Sequence, residues 1–419
     1  MTQLALSAST DTAAVPHPGM GFRQFVALVA ALMAVNALAI DSMLPALPAI
    51  ASSLGIPPGN QQQWIVTVYL LSFGVAQIVY GPLSDRFGRR PVLITGLLIY
   101  AATSLLAAAA WSFEALLIAR ICQGMGSAAT RVLVVSIVRD SYSGNQMARV
   151  MSLAFIVFLA VPILAPSIGQ IIMLVFPWRG IFAGLALFGI VVTLWVVLRL
   201  PETLHPDDRL AIRPGRVFDA FRASLTSRPA MGYMLAMMFI MGGLFGFINS
   251  AQQIFVVTFH APRLFTVLFA GIAVFMALAS LLNSRIVGRV GTRGVSHGAL
   301  LGFIGVGIVH TLVVVGGYES LWSFALLQAL TMFCFGLVAS NFGALAMEPL
   351  GHVAGTASSV QGFATTAGGA ALGFVVGQHF DGTTLPLEIG FLAYGFLALA
   401  LVLFSERGRL FRRSGAHAA

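Results

Sequence analysis

The sequence predicts an all-α integral membrane protein with twelve transmembrane helices in two pseudo-symmetric six-helix halves. The 419 residues are 58% hydrophobic and only 9% charged, against roughly 25% charged residues in soluble domains. Apolar runs of about 20 residues, the length that crosses a bilayer, recur along the chain and are separated by short turns rich in arginine. The runs are continuous and do not alternate, which favours helices over the strands of a closed barrel.

Each predicted span is one apolar run bounded by arginines or by turn residues. A longer polar stretch, 200–228, divides the spans into an N-terminal half, 22–199, and a C-terminal half, 229–405. The tails are 1–21, which lacks the positive start of a signal peptide and is predicted to be disordered, and 406–419. The predicted spans are 22–50, 62–84, 92–110, 115–138, 146–173, 178–199, 229–254, 263–286, 296–316, 320–346, 354–379 and 386–405.

Arginine placement predicts the orientation. All 23 basic residues are arginines, and 19 of them fall in segments on one side of the membrane, with Arg179 and Arg263 on the other and Arg120 and Arg131 inside the fourth span. Because cytoplasmic loops carry the excess of positive charge, we expect both termini in the cytoplasm. The arginines cluster in short turns between apolar runs, which is a pattern of membrane topology and argues against a nucleic-acid partner. The absence of lysine excludes a Walker A loop.

The turn after the second span carries the most specific pattern. Residues 81–93 read GPLSDRFGRRPVL, and a similar stretch, RVGTR at 289–293, partly repeats RFGRR at 86–90. The offset of 203 residues aligns Gly88 with Gly291 and Arg90 with Arg293, whereas Asp85 aligns with Gly288. A partial repeat after the second span of each half is what a duplicated six-helix unit would produce.

These features resemble the major facilitator superfamily, and within it the drug–proton antiporters of the Bcr/CflA type. The resemblance covers about 22–405 and implies the superfamily fold, a bacterial cytoplasmic (inner) membrane location, and the proton motive force in place of a cofactor. Gln170 departs from the family pattern, which usually has a glycine there. The resembling stretches are the turn at 81–91, AIDSMLPALPAI at 39–50, RICQG at 120–124, APSIG at 165–169 and HVAGTASSV at 352–360.

Asp41 and Arg120 are the predicted proton-coupling residues. A charged side chain within a span costs about 2.5–3.5 kcal/mol on insertion scales and is a functional candidate by default, and burial favours the neutral form of an aspartate. Arg120 lies at a similar depth, and the resemblance implies that the two exchange partners during transport. Two plainer interpretations stay open: Asp41 as an interfacial residue at a break made by Pro45 and Pro48, and Arg120 as a structural tie to backbone carbonyls. Arg131 either lines the inner cavity or extends to the inner face.

Two groups of residues are predicted to serve conformational change. The resemblance implies that the 81–91 turn closes the cytoplasmic side, with its aspartate at a neighbouring helix N-terminus and its arginines crossing to acidic groups; the alternative is a positive anchor only. Pro162, Pro166 and Gly169 are predicted to bend the fifth span, for alternating access or for bundle shape alone. The predicted gating residues are Gly81, Asp85, Arg86, Gly88, Arg89 and Arg90.

Polar groups within spans, together with methionines of the seventh span, are predicted to line a substrate cavity. Flexible methionines suit a site that accepts several shapes, although helical methionines also serve as packing residues. The predicted cavity residues are Asn36, Tyr69, Gln77, Gln123, Met234, Met238, Asn249, Gln328, Asn341 and Gln361.

The remaining chemistry-bearing residues give no pattern of their own. Cys122 and Cys334 lie inside spans and are interpreted as core residues, and His310 is alone in its span and is interpreted as structural. Neither metal-ligand spacing nor a nucleophile–base arrangement is present in the sequence, so we expect neither a metal nor an enzyme.

The predicted function is proton-coupled efflux of small hydrophobic or amphipathic compounds, such as antibiotics, by alternating access. The expected partners are a small-molecule substrate, protons and the lipid bilayer, and we expect a monomer because nothing requires a second chain. The alternatives are an importer or metabolite carrier on the same fold, a membrane enzyme, and a channel.

Overall fold

A computed structural model describes residues 20–57, 59–210 and 214–411, and within these residues the secondary structure is helical, without strands. Twelve helical segments in the described chain are long and apolar enough to cross a membrane. The predicted fold class and number of spans are therefore confirmed. Most of the tail predicted to be disordered, and the end of the C-terminal tail, lie outside the described residues.

The first six spans begin and end within a few residues of the predicted bounds, but the first is interrupted. Its helix ends at Asp41 and resumes after a short 3₁₀ segment, Leu44–Ala46. Pro45 and Pro48 explain this break, because neither has the N–H that a continuous helix would use. The helices are α1 (Phe22–Asp41), α2 (Leu47–Ser53), α3 (Trp64–Phe87), α4 (Arg89–Ala108), α5 (Phe113–Ser141), α6 (Gly144–Val175) and α7 (Arg179–Arg199).

The polar stretch between the halves contains a helix, α8, and six spans follow it. A π-helical segment, Ile254–Thr258, extends the seventh span, and another, Ala364–Gly368, lies in the middle of the eleventh. The helices are α8 (Pro214–Thr226), α9 (Arg228–Gln253), α10 (Phe265–Val290), α11 (Thr292–Val315), α12 (Leu321–Met347), α13 (Ala354–Phe363), α14 (Gly369–Gln378) and α15 (Leu385–Ser405).

Helix α6 keeps both of its prolines, Pro162 and Pro166, inside one uninterrupted helix. The third residue of the predicted bend, Gly169, is instead a point of close approach: a Cβ there would lie 1.7 Å from the Ser42 carbonyl oxygen. The glycine therefore lets α6 touch the backbone directly after Asp41.

Two glycines support the internal repeat. Gly88 has φ 99° and ψ 157°, and Gly291 has φ 84° and ψ 152°; each directly precedes the helix that starts the third span of its half. Residues other than glycine rarely adopt a positive φ. The two halves therefore make the same turn at equivalent positions. We call the end of the bundle that holds both turns the arginine-rich face.

The two turns differ in their surroundings, which gives a matched pair of substitutions. In Gly291→Ala the added Cβ meets nothing within 4 Å, so we expect only the cost of a backbone conformation that is essentially restricted to glycine, about 1–3 kcal/mol. In Gly88→Ala the Cβ would also lie 2.4 Å from Glu202 Oε2, and we expect a larger loss. Thermal unfolding of the purified protein measures both.

The control is Gly298→Ala on α11, where a Cβ also meets nothing within 4 Å and φ is not positive. Alanine stabilises helix interiors by about 1 kcal/mol relative to glycine, so the melting temperature should stay level or rise. Equal melting temperatures for Gly291→Ala and Gly298→Ala would contradict the role of the positive φ.

Candidate functional site

Arg120 is fully buried in the N-terminal half, where it is bound by α1, by α3 and by its own helix, α5. Its Nε donates to the Ile65 carbonyl at 3.0 Å, and its Nη1 donates to the Ala39 carbonyl at 3.1 Å and to Gln123 Oε1 at 2.6 Å. The guanidinium carbon lies 4.2 Å from the centre of the Tyr69 ring. Nη2 is buried without a hydrogen-bond partner. A charge that cannot be lost is thus held mainly by backbone dipoles.

Asp41 lies at the break of the first span and is only 5% exposed, with Ser42, Met43 and Leu44 buried beside it. It is therefore buried against other parts of the protein, at the break that Pro45 and Pro48 make. Within the described residues it forms no ion pair, so the expected Asp41–Arg120 pair is absent from this structure. Arg120 instead binds the Ala39 carbonyl, two residues before Asp41. This is the carbonyl tie weighed as the alternative for Arg120.

At the 81–91 turn, the carboxylate that lies at a helix N-terminus is Glu202 of the linker, and not Asp85 as expected. Glu202 accepts hydrogen bonds from the backbone N–H groups of Arg89 and Arg90, at 2.8 and 3.2 Å, and so caps α4. A carboxylate there also complements the helix dipole. Asp85 binds the Arg89 side chain instead.

Arg89 does cross to another helix. Its Nε lies 3.0 Å from Asp140 Oδ2 at the end of α5, and its Nη1 donates to Ser84 Oγ at 2.7 Å. Arg90 donates to the Val197 carbonyl at 2.7 Å, and Arg86 stacks near the Phe87 ring. The polar contacts of Asp85 and Arg89 in the described chain tie the N-terminal half to itself and to the linker, without a bond to the C-terminal half.

The C-terminal half has its own charged cluster at the equivalent place. Arg293 binds Glu406 at 2.7 Å and Glu348 at 3.0 Å, and the Tyr233 hydroxyl donates to Glu406 at 2.8 Å. Burial opposes ionisation of Glu406, but the Arg293 and Tyr233 hydrogen bonds outweigh it and hold the pKa of that carboxyl below its usual range. The end of α15 is thereby tied to α9, α11 and α12.

At the face opposite the arginine-rich one, side-chain amides join the two halves. Gln63 Nε2 donates to Gln253 Oε1 at 2.6 Å and to the Gly377 carbonyl at 3.0 Å. Asn60 donates to the carbonyls of Gln378 and Phe380, at 2.9 and 3.0 Å. Gln62 and Gln252 add a pair at 3.3 Å. We call the six residues the amide cluster: Asn60, Gln62, Gln63, Gln252, Gln253 and Gln378.

Several predicted cavity residues take part in packing contacts. The Tyr69 hydroxyl lies 2.9 Å from Asn36 Oδ1, so that pair fixes α1 against α3. Met234 is buried in the core. The other contacts are Gln123 to Ser104 at 2.6 Å, Gln77 to Thr366 at 3.4 Å, Asn341 to Asn283 at 2.8 Å, and Gln361 to the Gly343 carbonyl at 3.2 Å.

Two predicted cavity residues, Asn249 and Gln328, have unpartnered polar groups, and the predicted methionine Met238 is accessible. Asn249 Nδ2 and both amide atoms of Gln328 are buried without hydrogen-bond partners. Met238 is partly exposed, and a Cβ at Gly368 would lie 2.5 Å from its sulfur. Buried amides without partners are unusual in proteins. A polar group of a substrate could form the missing hydrogen bonds with Asn249 and Gln328.

The structure also reveals a buried charged cluster that the sequence interpretation missed. His310 is not alone: its Nε2 lies 3.1 Å from Glu319 Oε1 and its Nδ1 lies 3.0 Å from Glu388 Oε2. The signal was available for Glu388, because an acidic residue inside a predicted span is a functional candidate by the rule that selected Asp41. No local pattern pointed to the amide cluster, whose partners are between 190 and 318 residues apart.

The fold and these sites define a membrane transporter. Residues 29–374, more than half of the chain, match the Major Facilitator Superfamily, and the chain belongs to that superfamily, whose members are transporters rather than enzymes. The solved human organic anion transporter MFSD10 (TETRAN) has a similar fold, with a TM-score of 0.67 over 92% of this chain and 100% of that one, at 20% identity.

Bacterial relatives are more similar in sequence. The bicyclomycin resistance protein homolog of Haemophilus influenzae is 30% identical over 384 residues, which cover 89% of this chain and 96% of the relative. The chloramphenicol resistance protein of Pseudomonas aeruginosa is 29% identical over 77% of this chain and 76% of the relative. These matches confirm the family resemblance predicted from the sequence.

The contact of Gly169 with Ser42 predicts the effect of Gly169→Ala. The methyl group would overlap the Ser42 carbonyl, and such overpacking costs about 1–3 kcal/mol, so α6 must move away from the break that carries Asp41. We expect a lower melting temperature and a loss of transport greater than the loss of folded protein. Gly184→Ala is the control, because its Cβ would lie 3.6 Å from Ile172 Cδ1, an ordinary contact. Equal transport by the two variants would show that the close approach is unimportant.

The amide cluster predicts a change of accessibility in Gln63→Ala. This substitution removes the hydrogen bonds that Gln63 makes to Gln253 and Gly377 across the halves. Thr67 is fully buried between the halves, 3.5 Å from Asn249 Oδ1. In a Cys122→Ala/Cys334→Ala background, a cysteine placed at Thr67 should react several-fold faster with a membrane-impermeant thiol reagent when Gln63 is replaced.

The matched control is Gln61→Ala, since Gln61 is exposed in the same 3₁₀ turn. It should leave the labelling rate unchanged. A rate that is insensitive to Gln63→Ala would exclude the amide cluster as the closure of this face.

Proposed function

We propose that this protein exports small hydrophobic or amphipathic compounds across the cytoplasmic membrane in exchange for protons, by alternating access. The observation that carries the proposal is Asp41, a carboxyl group buried at a helix break where it has no ion-pair partner among the described residues. In such a place the neutral acid is favoured, and a change in which compartment Asp41 faces can load or release its proton.

Arg120 gives Asp41 its coupling to the rest of the bundle. The guanidinium holds the Ala39 carbonyl near the break and leaves Nη2 without a partner. When Asp41 loses its proton, the new negative charge attracts this buried cation, because interactions between charges are strong where water is excluded. The Arg120–Ala39 contact would then compete with an Arg120–Asp41 contact. Protonation thereby alters the packing of α1, α3 and α5.

The structure supports a state closed at the amide cluster and open towards the arginine-rich face. The amide cluster joins the halves at one end, whereas Asp85 and Arg89 at the other end bind within the N-terminal half and the linker. Arg131 is exposed although it lies ten residues, about 15 Å, before the end of α5. An arginine that faced lipid at this depth would be costly. We therefore assign Arg131 to a water-filled cleft that opens at the arginine-rich face.

The substrate class is inferred from relatives and from the site. The two bacterial relatives are named for resistance to bicyclomycin and chloramphenicol. The partly exposed Met238 and the unpartnered amides of Asn249 and Gln328 offer an adaptable apolar surface with a few polar groups, which is the usual composition of a small-molecule site.

The excess of arginine at one face supports an orientation with that face, and both termini, in the cytoplasm. The proton motive force replaces a cofactor in this proposal, and one chain is sufficient, since all the groups invoked belong to it.

Import on the same fold is the second candidate function. It would use the same Asp41 site but would move substrate in the same direction as the protons. The direction of coupled proton movement distinguishes the two candidates.

Proton movement in acid-loaded inside-out vesicles tests the proposal. Addition of chloramphenicol, or of another compound from a hydrophobic panel, should release protons from vesicles that contain the wild-type protein. Asp41→Asn should abolish this release, because an amide cannot carry the proton.

The matched control is Asp381→Asn, since Asp381 is an exposed aspartate between the last two spans. It should retain wild-type proton release. Full release by Asp41→Asn would move the coupling carboxyl elsewhere, and no response to any compound would overturn the export proposal.

A further inference from the structure

A buried carboxylate–imidazole–carboxylate arrangement lies in the C-terminal half, away from Asp41. His310 on α11 stands between Glu319, in the turn after α11, and Glu388, in the first turn of α15. His310 and Glu388 have no exposed surface, whereas the Glu319 side chain retains 11%. The Thr384 hydroxyl donates to the second oxygen of Glu319. We call His310, Glu319 and Glu388 the histidine triad.

Glu388 is poorly satisfied for a buried charge. Neither of its carboxylate oxygens has a hydrogen-bond partner, and His310 Nδ1, although 3.0 Å away, is not aligned for a hydrogen bond. An ionised carboxylate without donors pays a large desolvation penalty. The unpartnered carboxylate lies beside the imidazole, and a proton that bonds to one of its oxygens would remove the charge that lacks donors.

The net charge of the triad also favours the binding of one further proton. With an imidazolium and two carboxylates the net charge is minus one, and the groups that face His310 are Glu319 from the turn, Glu388 from α15 and the uncharged Phe324 ring from α12. Asp381, near Thr384 in sequence, is instead bound to Thr383 at 2.7 Å. One further proton on a carboxylate makes the buried triad neutral. The described residues contain no group of three or more ligands that could hold a metal ion.

We infer that the histidine triad is a second proton-binding site, which exchanges its proton with the face that the amide cluster closes. The proton reaches the triad through Glu319, the only one of the three side chains with exposed surface. A proton from water converts one carboxylate to a carboxylic acid, and the reverse step returns it to the same face. Because α11, α12 and α15 meet at the triad, its protonation alters the packing of the C-terminal half independently of Asp41.

Infrared titration of the purified full-length chain in lipid nanodiscs tests this inference without any transport substrate. The signal is the C=O stretch of protonated carboxylic acids, followed between about pH 5 and about pH 9, the range that brackets the unperturbed histidine pKa. Asp41→Asn is used as the background, so that the first site does not contribute. A pH-dependent acid band should remain in this background and should be lost on adding Glu388→Gln or Glu319→Gln.

Two further variants serve as a control and as a second test of the infrared titration. Glu114→Gln, which removes an exposed glutamate at the start of α5, should leave the band unchanged. His310→Gln removes the cation, so the acid should stay protonated across the range and the band should lose its pH dependence; this arm remains available if Glu388→Gln fails to fold. An unchanged band in both glutamate variants, or no band in the Asp41→Asn background, would show that the triad does not take up a proton in this range and would overturn the inference. Either result is independent of whether the protein exports drugs.

Discussion

The charged guanidinium of Arg120 is the constraint on which the N-terminal half depends. Arginine keeps its charge even when it is buried, so the helices around it must supply acceptors that water would otherwise provide. Ala39 on α1, Ile65 on α3 and Gln123 on α5 do so. The break after Asp41 helps, because it ends the regular helix close to the Ala39 carbonyl. One side chain thus relates the break, the packing of three spans and the position of the buried carboxyl.

The two faces of the bundle use different chemistry for different tasks. At the arginine-rich face, carboxylates hold arginines within each half: Asp85 and Asp140 in the first, Glu348 and Glu406 in the second. At the opposite face, neutral amides hold the halves to each other. Contacts within a half keep it rigid while contacts between halves break and re-form, which is the division of roles that alternating access requires.

Much of the fold could be predicted from the sequence, because hydrocarbon imposes long apolar runs and confines arginines to the turns. The same rule identified Asp41 and Arg120 as unusual, and the echo of Gly88 at Gly291 located the repeat. A tie between Arg120 and backbone carbonyls was one of the two sequence interpretations, but the sequence could not identify Ala39 and Ile65 as the residues that supply the carbonyls. Glu202 was assigned only to the linker, and its capping of α4 depends on how the linker folds back. His310 was judged alone because Glu319 and Glu388 reach it only after α11, α12 and α15 have packed together.

The neutrality of the amide cluster has an electrical consequence. A charge that moves across the membrane potential exchanges about 2.3 kcal/mol per 100 mV with it, whereas an amide that changes partners moves no net charge. Opening or closing the face held by Asn60, Gln63 and Gln253 is therefore insensitive to voltage, and to ionic strength as well. Any voltage dependence of the transport cycle must arise at the titratable carboxyls and at the buried arginines, and not at the closure itself.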